Sequence, residues 1–504
     1  MICSPRTRSA AALAAFWAIA TTYYAFVISG GYFGQWITWT ALYDAQAEGF
    51  RSGHLYLPEP APAALKGLVD PLNIANQQYW RWDHSYYAGR LYIYWGLVPA
   101  LLLAAVKTVF RIDRTVGDEL VVFAFAVGRL VVGTLLIRAL SREAHPRPPA
   151  WAVWMALFVF AFANPTLFLL ARSAIYEASI AAGICFVLTG LYFGLRGMIS
   201  EREPAAAGWF AAAGASFALA GGSRISLLPA AAALTALTAL TAIARWRGTG
   251  VGAARLARLA GWTVGPAAAI AGTHLFVNYL RFGRWTEFGV SYQMGIPFQL
   301  GGHFLGPNLY LYLLEPLKLS CGFPFLSVEW DQARSLAPRW LPFPAGYRWS
   351  EPSAGLLIAV PFAWLLFGII AVAIWRRARA REELEPAAPA PSWSRRWIGM
   401  ALWTWVLVGT APVLVMFSLS MRYEADFASG ILLLAALAGW QLLVIPRSRA
   451  VRAALSTLFA SLGVATVAAG VLLGFGGYSD LFARYNPALW LRLKSALDLC
   501  IGSR

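Results

Sequence analysis

Charge is scarce in this chain. Only 24 of 504 residues are Asp or Glu, five are His, and charged residues make up 13% of the whole. A soluble domain usually carries about twice that fraction, so a soluble globular protein is excluded. Cysteine is scarcer still, at Cys3, Cys185, Cys321 and Cys500. Their separations match neither metal-ligand nor redox spacing. Strict alternation of apolar and polar residues is missing too, and with it the signature of a membrane barrel.

What is present is hydrophobic sequence, 59% of the residues. Apolar runs near the length of one bilayer crossing recur through the chain. Candidate spans are Ala10–Ser29, Leu91–Phe110, Leu120–Leu140, Ala150–Leu170, Ser179–Leu195, Ala205–Ala220, Ile225–Ala244, Leu259–Tyr279, Ser353–Trp375, Trp397–Leu419, Phe427–Ile445 and Val451–Phe475. In lipid the backbone must satisfy its own hydrogen bonds, so the spans are helices. The expected fold is an all-α polytopic membrane protein of about 11 to 12 spans, with one helix lying on the surface in the first outer loop. Residues 1–475 form the membrane domain, 376–396 an Arg/Pro/Ala-rich cytoplasmic linker containing EPAAPAPS, and 476–504 a short outward tail.

The formal charge of +17 comes from arginines gathered in short loops. That is the cytoplasmic bias that sets topology, and it removes the argument for nucleic-acid binding. Arg6 and Arg8 hold the N-terminus inside, on an apolar first helix without a clean cleavage site. Arg138 and Arg142, Arg196 and Arg202, Arg245 and Arg258, Arg376 to Arg396, and Arg449 mark further inside loops. One conflict arises: two crossings between Thr38–Pro99 and Arg138 would put both on one side. Either Leu91–Phe110 does not fully cross or an early segment is miscounted. The Arg-poor loops, chiefly 30–90 and 281–352, then fall together on the outer face, where Cys321 and Cys500 also lie, their pairing left open.

Those outer loops hold nearly all the acids that stand near span ends. From Trp36 to Ser52 a helix would carry an apolar stripe (Trp36, Trp39, Tyr43, Ala47, Phe50) beside a polar one (Thr40, Asp44, Glu48, Arg51). Asp44 there is placed to take a proton from a hydroxyl, or it is part of a solvated face with Glu48 and Arg51 paired. Further on, RWDHSYYAGR sets Asp83 and Arg90 among Trp82, Tyr86 and Tyr87, aromatics suited to stacking on sugar rings or to an interfacial belt. His84 has no second ligand at metal spacing, so no metal site is read. Arg172 and Glu177 stand at the mouth of two spans, as functional groups or as a structural pair. Arg224 follows two glycines, Arg422 lies in MRYEADF, and Arg129 sits inside a span and needs a polar partner. Several guanidinium groups around one cavity suit a phosphate.

At these residues the chain resembles the C-type superfamily of integral-membrane glycosyltransferases, which includes the protein O-mannosyltransferases and aminoarabinose transferases. The marks are SGHLYLP, VGRLVVG, NPTLFLLARSAIYEAS, GGSR, RYEADF and a loop reading WDHSYYAGRLYIYWGLVPAL, as in a little-characterised bacterial branch. The resemblance implies a donor sugar on a polyprenyl phosphate and transfer with inversion. It implies that Asp44 or Asp83 is the base, Glu177 the second acid, and Arg129 and Arg224 face the donor phosphate. Arg422, Arg90 and Arg172 join the phosphate set by position. The superfamily's usual acid pair is replaced here by Thr38 and Trp39. No soluble nucleotide-sugar domain is present, which favours a lipid-linked donor.

The function expected is therefore transfer of a sugar to an envelope glycan, lipid or protein, on the outer face of a bacterial inner membrane. No cofactor is assigned, and dependence on a divalent metal stays open. A lipid-glycan transporter or flippase is the alternative from another class. Against it, no internal repeat is visible and the acids sit at span ends, not mid-membrane. A non-catalytic scaffold of the same fold is the third reading.

Overall fold

The computed structural model describes residues 5–247, 252–328, 338, 340–349, 351–381, 392–446, 448–476 and 480–499. Cys3, Cys500 and the middle of the 376–396 linker lie outside them. Among the described residues, nine helices are long and apolar enough to cross a membrane. They are Ser9–Ile28, Asp118–Glu143, Ala150–Ala171, Ile175–Ile199, Glu203–Ser223, Ile225–Arg247, Trp393–Leu414, Met421–Val444 and Arg449–Tyr485. Ala253–Phe282 adds a further helix of 30 residues, and Val98–Phe110 and Pro361–Ile374 are shorter apolar helices.

Two expected spans take another form. Leu91–Phe110 is a strand followed by a helix of 13 residues that starts with Pro99 in its first turn. Gly96, just before it, lies against the carbonyl oxygens of Gly222 and Ser223, where an added Cβ would come within 2.3 Å of both. Just past its other end, the Ile112 carbonyl accepts from Arg51 at 3.3 Å. One end of the helix thus meets the bundle and the other meets Arg51, and at 13 residues the helix is too short to cross a bilayer upright. That shortness favours the first of the two alternatives, that Leu91–Phe110 does not fully cross. Ser353–Trp375 is broken as well, into Leu356–Ala359, a 3-10 turn Pro361–Phe367 and Gly368–Arg381. Pro361 has no N–H to continue the first piece.

The core is apolar but its largest side chains carry one polar atom each. Trp397, Trp405 and Trp440 are fully buried. Their indole N–H groups donate to Thr238 Oγ1 at 3.3 Å, to the Asp426 carbonyl at 2.8 Å and to the Ala152 carbonyl at 3.3 Å. Each bulky ring therefore enters the core with its donor satisfied.

The two long polar segments cover one end of the bundle and pair with each other. β1 (His84–Tyr87) and β2 (Arg90–Tyr92) form a hairpin through Ala88 and Gly89, both at positive φ (49° and 77°). Two left-handed residues give the turn twist that matches paired strands, and Gly89 adopts it without strain. β3 (Gln293–Met294), from the second segment, adds to the other edge of β1, with Ser85 opposite Gln293. Ser85 Oγ also donates to the Gly289 carbonyl at 2.8 Å.

The C-terminal helix Pro487–Leu497 returns to this end. Asn486 Nδ2 donates to the Gly30 carbonyl at 2.9 Å, and Leu499 N–H donates to the Cys321 carbonyl at 3.0 Å. Cys321 is disulfide-bonded, Cys185 is a buried free thiol, and the disulfide partner lies outside the described residues.

Candidate active site

Several helices begin at the covered end, and their first turns carry charge. Glu177 lies in the first turn of Ile175–Ile199, where the helix dipole favours a carboxylate. Its Oε2 accepts from the Ala174 N–H at 3.2 Å. Arg422 lies in the 3-10 turn Met421–Glu424 that leads into the next helix. Its Nη1 is 3.6 Å from Glu177 Oε1. Glu351, at the end of the second polar segment, stands between two arginines. Its Oε1 accepts from Arg172 Nη1 at 3.1 Å and from Arg422 Nη1, and its Oε2 accepts from Ser420 Oγ. Arg172 Nη1 is 3.9 Å from Glu177. Two guanidinium groups and two carboxylates thus form one cluster, and their formal charges cancel. Cancellation is what lets such groups sit buried.

A third acid lies beside the cluster, linked to it through an aromatic ring and not by an ion pair. The Tyr176 hydroxyl donates to Asp83 Oδ1, and the Tyr94 hydroxyl approaches the same oxygen at 3.3 Å. Gln293 Nε2 donates to the Tyr94 oxygen at 2.9 Å. Burial holds the Tyr94 hydroxyl far above its usual pKa, so it stays a donor. The Arg422 guanidinium stacks on the Tyr176 ring, 4.0 Å from its centroid. Asp83 itself holds a φ of 64°, a left-handed conformation that Asp adopts more readily than most residues other than glycine.

Arg224 forms the third part. Its Nε and Nη2 grip Asp426 as a fork, with Nη2 3.1 Å from Oδ2, and Ser226 Oγ adds a donor at 2.8 Å. Tyr423 lies beside both Arg224 and Arg422, with centroid distances of 5.0 and 5.5 Å. Of the sequence candidates, the structure therefore brings together Asp83, Glu177, Arg172 and Arg422, with Arg224 reached through Tyr423.

Asp44 is not part of this group. It is buried, with Oδ1 2.5 Å from Lys107 Nζ, and Glu48 Oε1 lies 2.6 Å from the same ammonium. The Lys107 hydrogen bond holds the Glu48 carboxyl below its usual pKa. The expected Trp36–Ser52 helix is shorter, at Leu42–Arg51. Its N-terminus is capped from outside: Asp118 accepts from the Leu42 and Tyr43 N–H groups, both at 3.1 Å, and from Thr40 Oγ1 at 2.5 Å. Thr40 Oγ1 accepts in turn from the Ile175 N–H at 2.9 Å, tying the surface helix to the start of the Glu177 helix.

Arg129 lies inside the bundle. It donates to Ser429 Oγ at 3.1 Å and to the Phe160 carbonyl at 3.1 Å. It lines a cavity of about 10 Å³ with Asn164, Thr166 and Ser429, room for one water at most. Arg90 is exposed and stacks on Tyr56, 4.2 Å from the centroid. Trp82 is exposed with its edge on Trp80, Tyr86 is buried, and Tyr87 packs on Phe282 and Tyr292.

Sequence reasoning passed over Glu351, Tyr176 and Asp118 as site residues. Glu351 had a signal, being an acid directly before an apolar run, in a chain with few acids. Tyr176 had none apart from its place beside Glu177. Among the described residues, no group of three or more His, Cys, Asp or Glu side chains is arranged to hold a metal.

No protein-family model and no curated protein matches the chain. Among solved structures, it is similar to the apo oligosaccharyltransferase of Archaeoglobus fulgidus, with 14% identity over 92% of this chain and 56% of that one, at a TM-score of 0.48. It is similar to ArnT from Cupriavidus metallidurans bound to undecaprenyl phosphate, with 13% identity over 95% of this chain and 79% of that one, at a TM-score of 0.45. The chain thus spans little more than half the length of the archaeal enzyme.

Proposed function

We propose that the protein is a membrane glycosyltransferase that moves a sugar from a polyprenyl-phosphate-linked donor to an envelope acceptor. The observation that carries this reading is the Asp83–Tyr176–Arg422–Glu177 chain of contacts. It sets an acid able to act as a base beside guanidinium groups able to hold a phosphate, at the end of a bundle that gives a lipid direct access.

In this reading Asp83 takes the proton from the acceptor hydroxyl. The acceptor oxygen bonds to the anomeric carbon from the face opposite the phosphate, and the bond from that carbon to the phosphate oxygen breaks. Attack and departure on opposite faces invert the anomeric centre. Arg422 and Arg172 take up the negative charge that grows on the leaving phosphate, as preorganised donors do. Glu177 keeps Arg422 in place, and Arg224 is held ready by Asp426. Trp82 offers an exposed ring for the sugar face. Asp44 serves the surface helix instead of the chemistry. Arg129 supports the bundle beneath the site.

The site end faces away from the cytosol of a bacterial inner membrane in this proposal. The disulfide at Cys321 supports that side, because disulfides persist in oxidising compartments.

The test is transfer by purified protein supplied with polyprenyl-phosphate sugars and acceptor lipids. Expected is turnover with at least one donor, reduced by about 10²-fold or more in Asp83→Asn. No turnover with any donor, together with flux of a lipid-linked glycan across liposomes without chemical change, would replace the enzyme with a transporter.

A further inference from the structure

We propose that Arg172 and Arg422 form a phosphate-binding fork whose resting occupant is the chain's own Glu351, which an incoming lipid phosphate displaces. The proposal rests on the lipid-phosphate donor class above and adds how that site is kept and opened.

Glu351 uses its carboxylate as a bound anion would. One oxygen accepts from both guanidinium groups and the other from Ser420 Oγ. Two oxygens of a phosphate can take the same donors, one N–H from each guanidinium and the Ser420 hydroxyl, because these groups donate to either anion. The site is thus built for an anion and already holds one.

Charge decides what must leave. Arg172, Arg422, Glu177 and Glu351 sum to zero. Adding a phosphodiester to the intact cluster would leave one uncompensated negative charge in a site where three of the four side chains are 8% exposed or less. That costs several kcal/mol by the usual penalty for burying an unpaired ion. Exchanging the phosphodiester for Glu351 keeps the sum at zero.

Glu351 is the carboxylate free to leave. Glu177 is fixed in a helical turn and held by its own Ala174 N–H. Glu351 sits on irregular backbone, held on one side by the two-residue parallel pairing of Arg348–Trp349 with Ser418–Leu419 and on the other by the Gly355 N–H bond to the Glu315 carbonyl at 2.8 Å. Arg422 stays behind, stacked on Tyr176, and its Nε is a buried donor without a partner. Arg172, 23% exposed, is the side from which the anion enters.

The same rule sets a preference. Exchange is neutral for a singly charged phosphodiester, the form of a sugar donor. A doubly charged phosphate monoester, the product form, leaves one charge in excess. Glu351 therefore competes for the fork when the product is to depart.

The experiment uses the full chain in detergent and measures binding of undecaprenyl phosphate, inorganic phosphate and uncharged polyprenol. Expected for Glu351→Gln is about tenfold tighter binding of undecaprenyl phosphate, roughly 1.4 kcal/mol, with polyprenol unchanged. Tighter binding of inorganic phosphate as well assigns the gain to the headgroup, while a gain with the lipid alone assigns it to headgroup and chain together. Arg172→Gln should weaken undecaprenyl phosphate in both backgrounds. A carboxylate that only braces the fold gives binding in Glu351→Gln that is equal or weaker, and overturns the proposal. Should that variant fail to fold, hydrogen exchange on the wild type decides. Amides of residues 346–355 should lose protection when undecaprenyl phosphate binds, and unchanged protection overturns the proposal. Neither readout needs turnover. Tight binding without sugar transfer removes the enzyme reading and leaves the fork, and transfer with no gain in Glu351→Gln does the reverse.

Discussion

Asp118 caps a helix to which it does not belong: its Oδ1 accepts from the Tyr43 backbone N–H at 3.1 Å, 75 positions away in sequence. Ala41, at the N-cap of the surface helix, has no side chain to do this. Asp118→Ala should therefore release the surface helix and, through Thr40, loosen the start of the Glu177 helix. A lost cap costs about 0.5–2 kcal/mol. The value should lie at the upper end, because two N–H groups and the Thr40 hydroxyl lose their acceptor together. Thermal melts in detergent measure it, and a melt equal to wild type would contradict the capping role.

The pairing of Lys107 with Asp44 and Glu48 is the other attachment of the surface helix. Lys107→Met leaves Asp44 buried without its counter-ion, a loss of roughly 3–5 kcal/mol for a fully buried pair. Asp44→Asn with Lys107→Met removes both charges. The double variant should melt above the sum expected from the single variants. Additive losses would show that the two side chains do not act on each other. The same variants separate two assignments of the base. If Asp44 takes the proton, Asp44→Asn abolishes transfer even in protein that melts normally.

How much of this could be read from the chain follows from what each signal measures. Apolar run length reports removal from water, not the presence of lipid. That is why Leu91, Tyr92 and Ile93, buried beneath the polar segments, were counted into a span. Pro99 was the mark of a new helix starting there. Acid scarcity was a better guide. In a chain with so few carboxylates, one beside a span must be paired or used, and Asp83, Glu177 and Asp426 are all engaged. Their partners were harder to find, because pairing across folds leaves no local trace. Glu351 and Arg172 are 179 positions apart, and Lys107 and Asp44 are 63 apart.

Glu315 should make the stability of the protein depend on pH. It is buried, its Oε2 has no partner, and burial raises its pKa to about 7. An unfolded glutamate titrates near pH 4.3. Between that value and 7 the folded state binds more protons than the unfolded one, so stability falls as pH rises. The loss across this window should reach about 1–3 kcal/mol. Glu315→Gln keeps the shape and removes the titration. Melting temperatures from pH 5 to 8 should decline for wild type and stay level for the variant. Parallel declines would assign the effect to another group.

In the proposed reaction Tyr176 positions Asp83, and its ring and hydroxyl can be tested separately. The ring carries the Arg422 guanidinium at 4.0 Å, while the hydroxyl holds Asp83. Tyr176→Phe keeps the first and removes the second. Asp83 then retains Tyr94 at 3.3 Å as its remaining phenolic partner and loses a fixed orientation. A misaligned base slows the chemical step without weakening donor binding, so kcat should drop about tenfold while KM stays near its wild-type value. A purely structural role would lower both the melting temperature and the fraction of active protein, and would act equally in any background. The decisive comparison is with Asp83→Asn. If the hydroxyl works through Asp83, adding Tyr176→Phe to Asp83→Asn produces no further loss in kcat. A second tenfold loss in that background would detach Tyr176 from the base and place its hydroxyl on another partner.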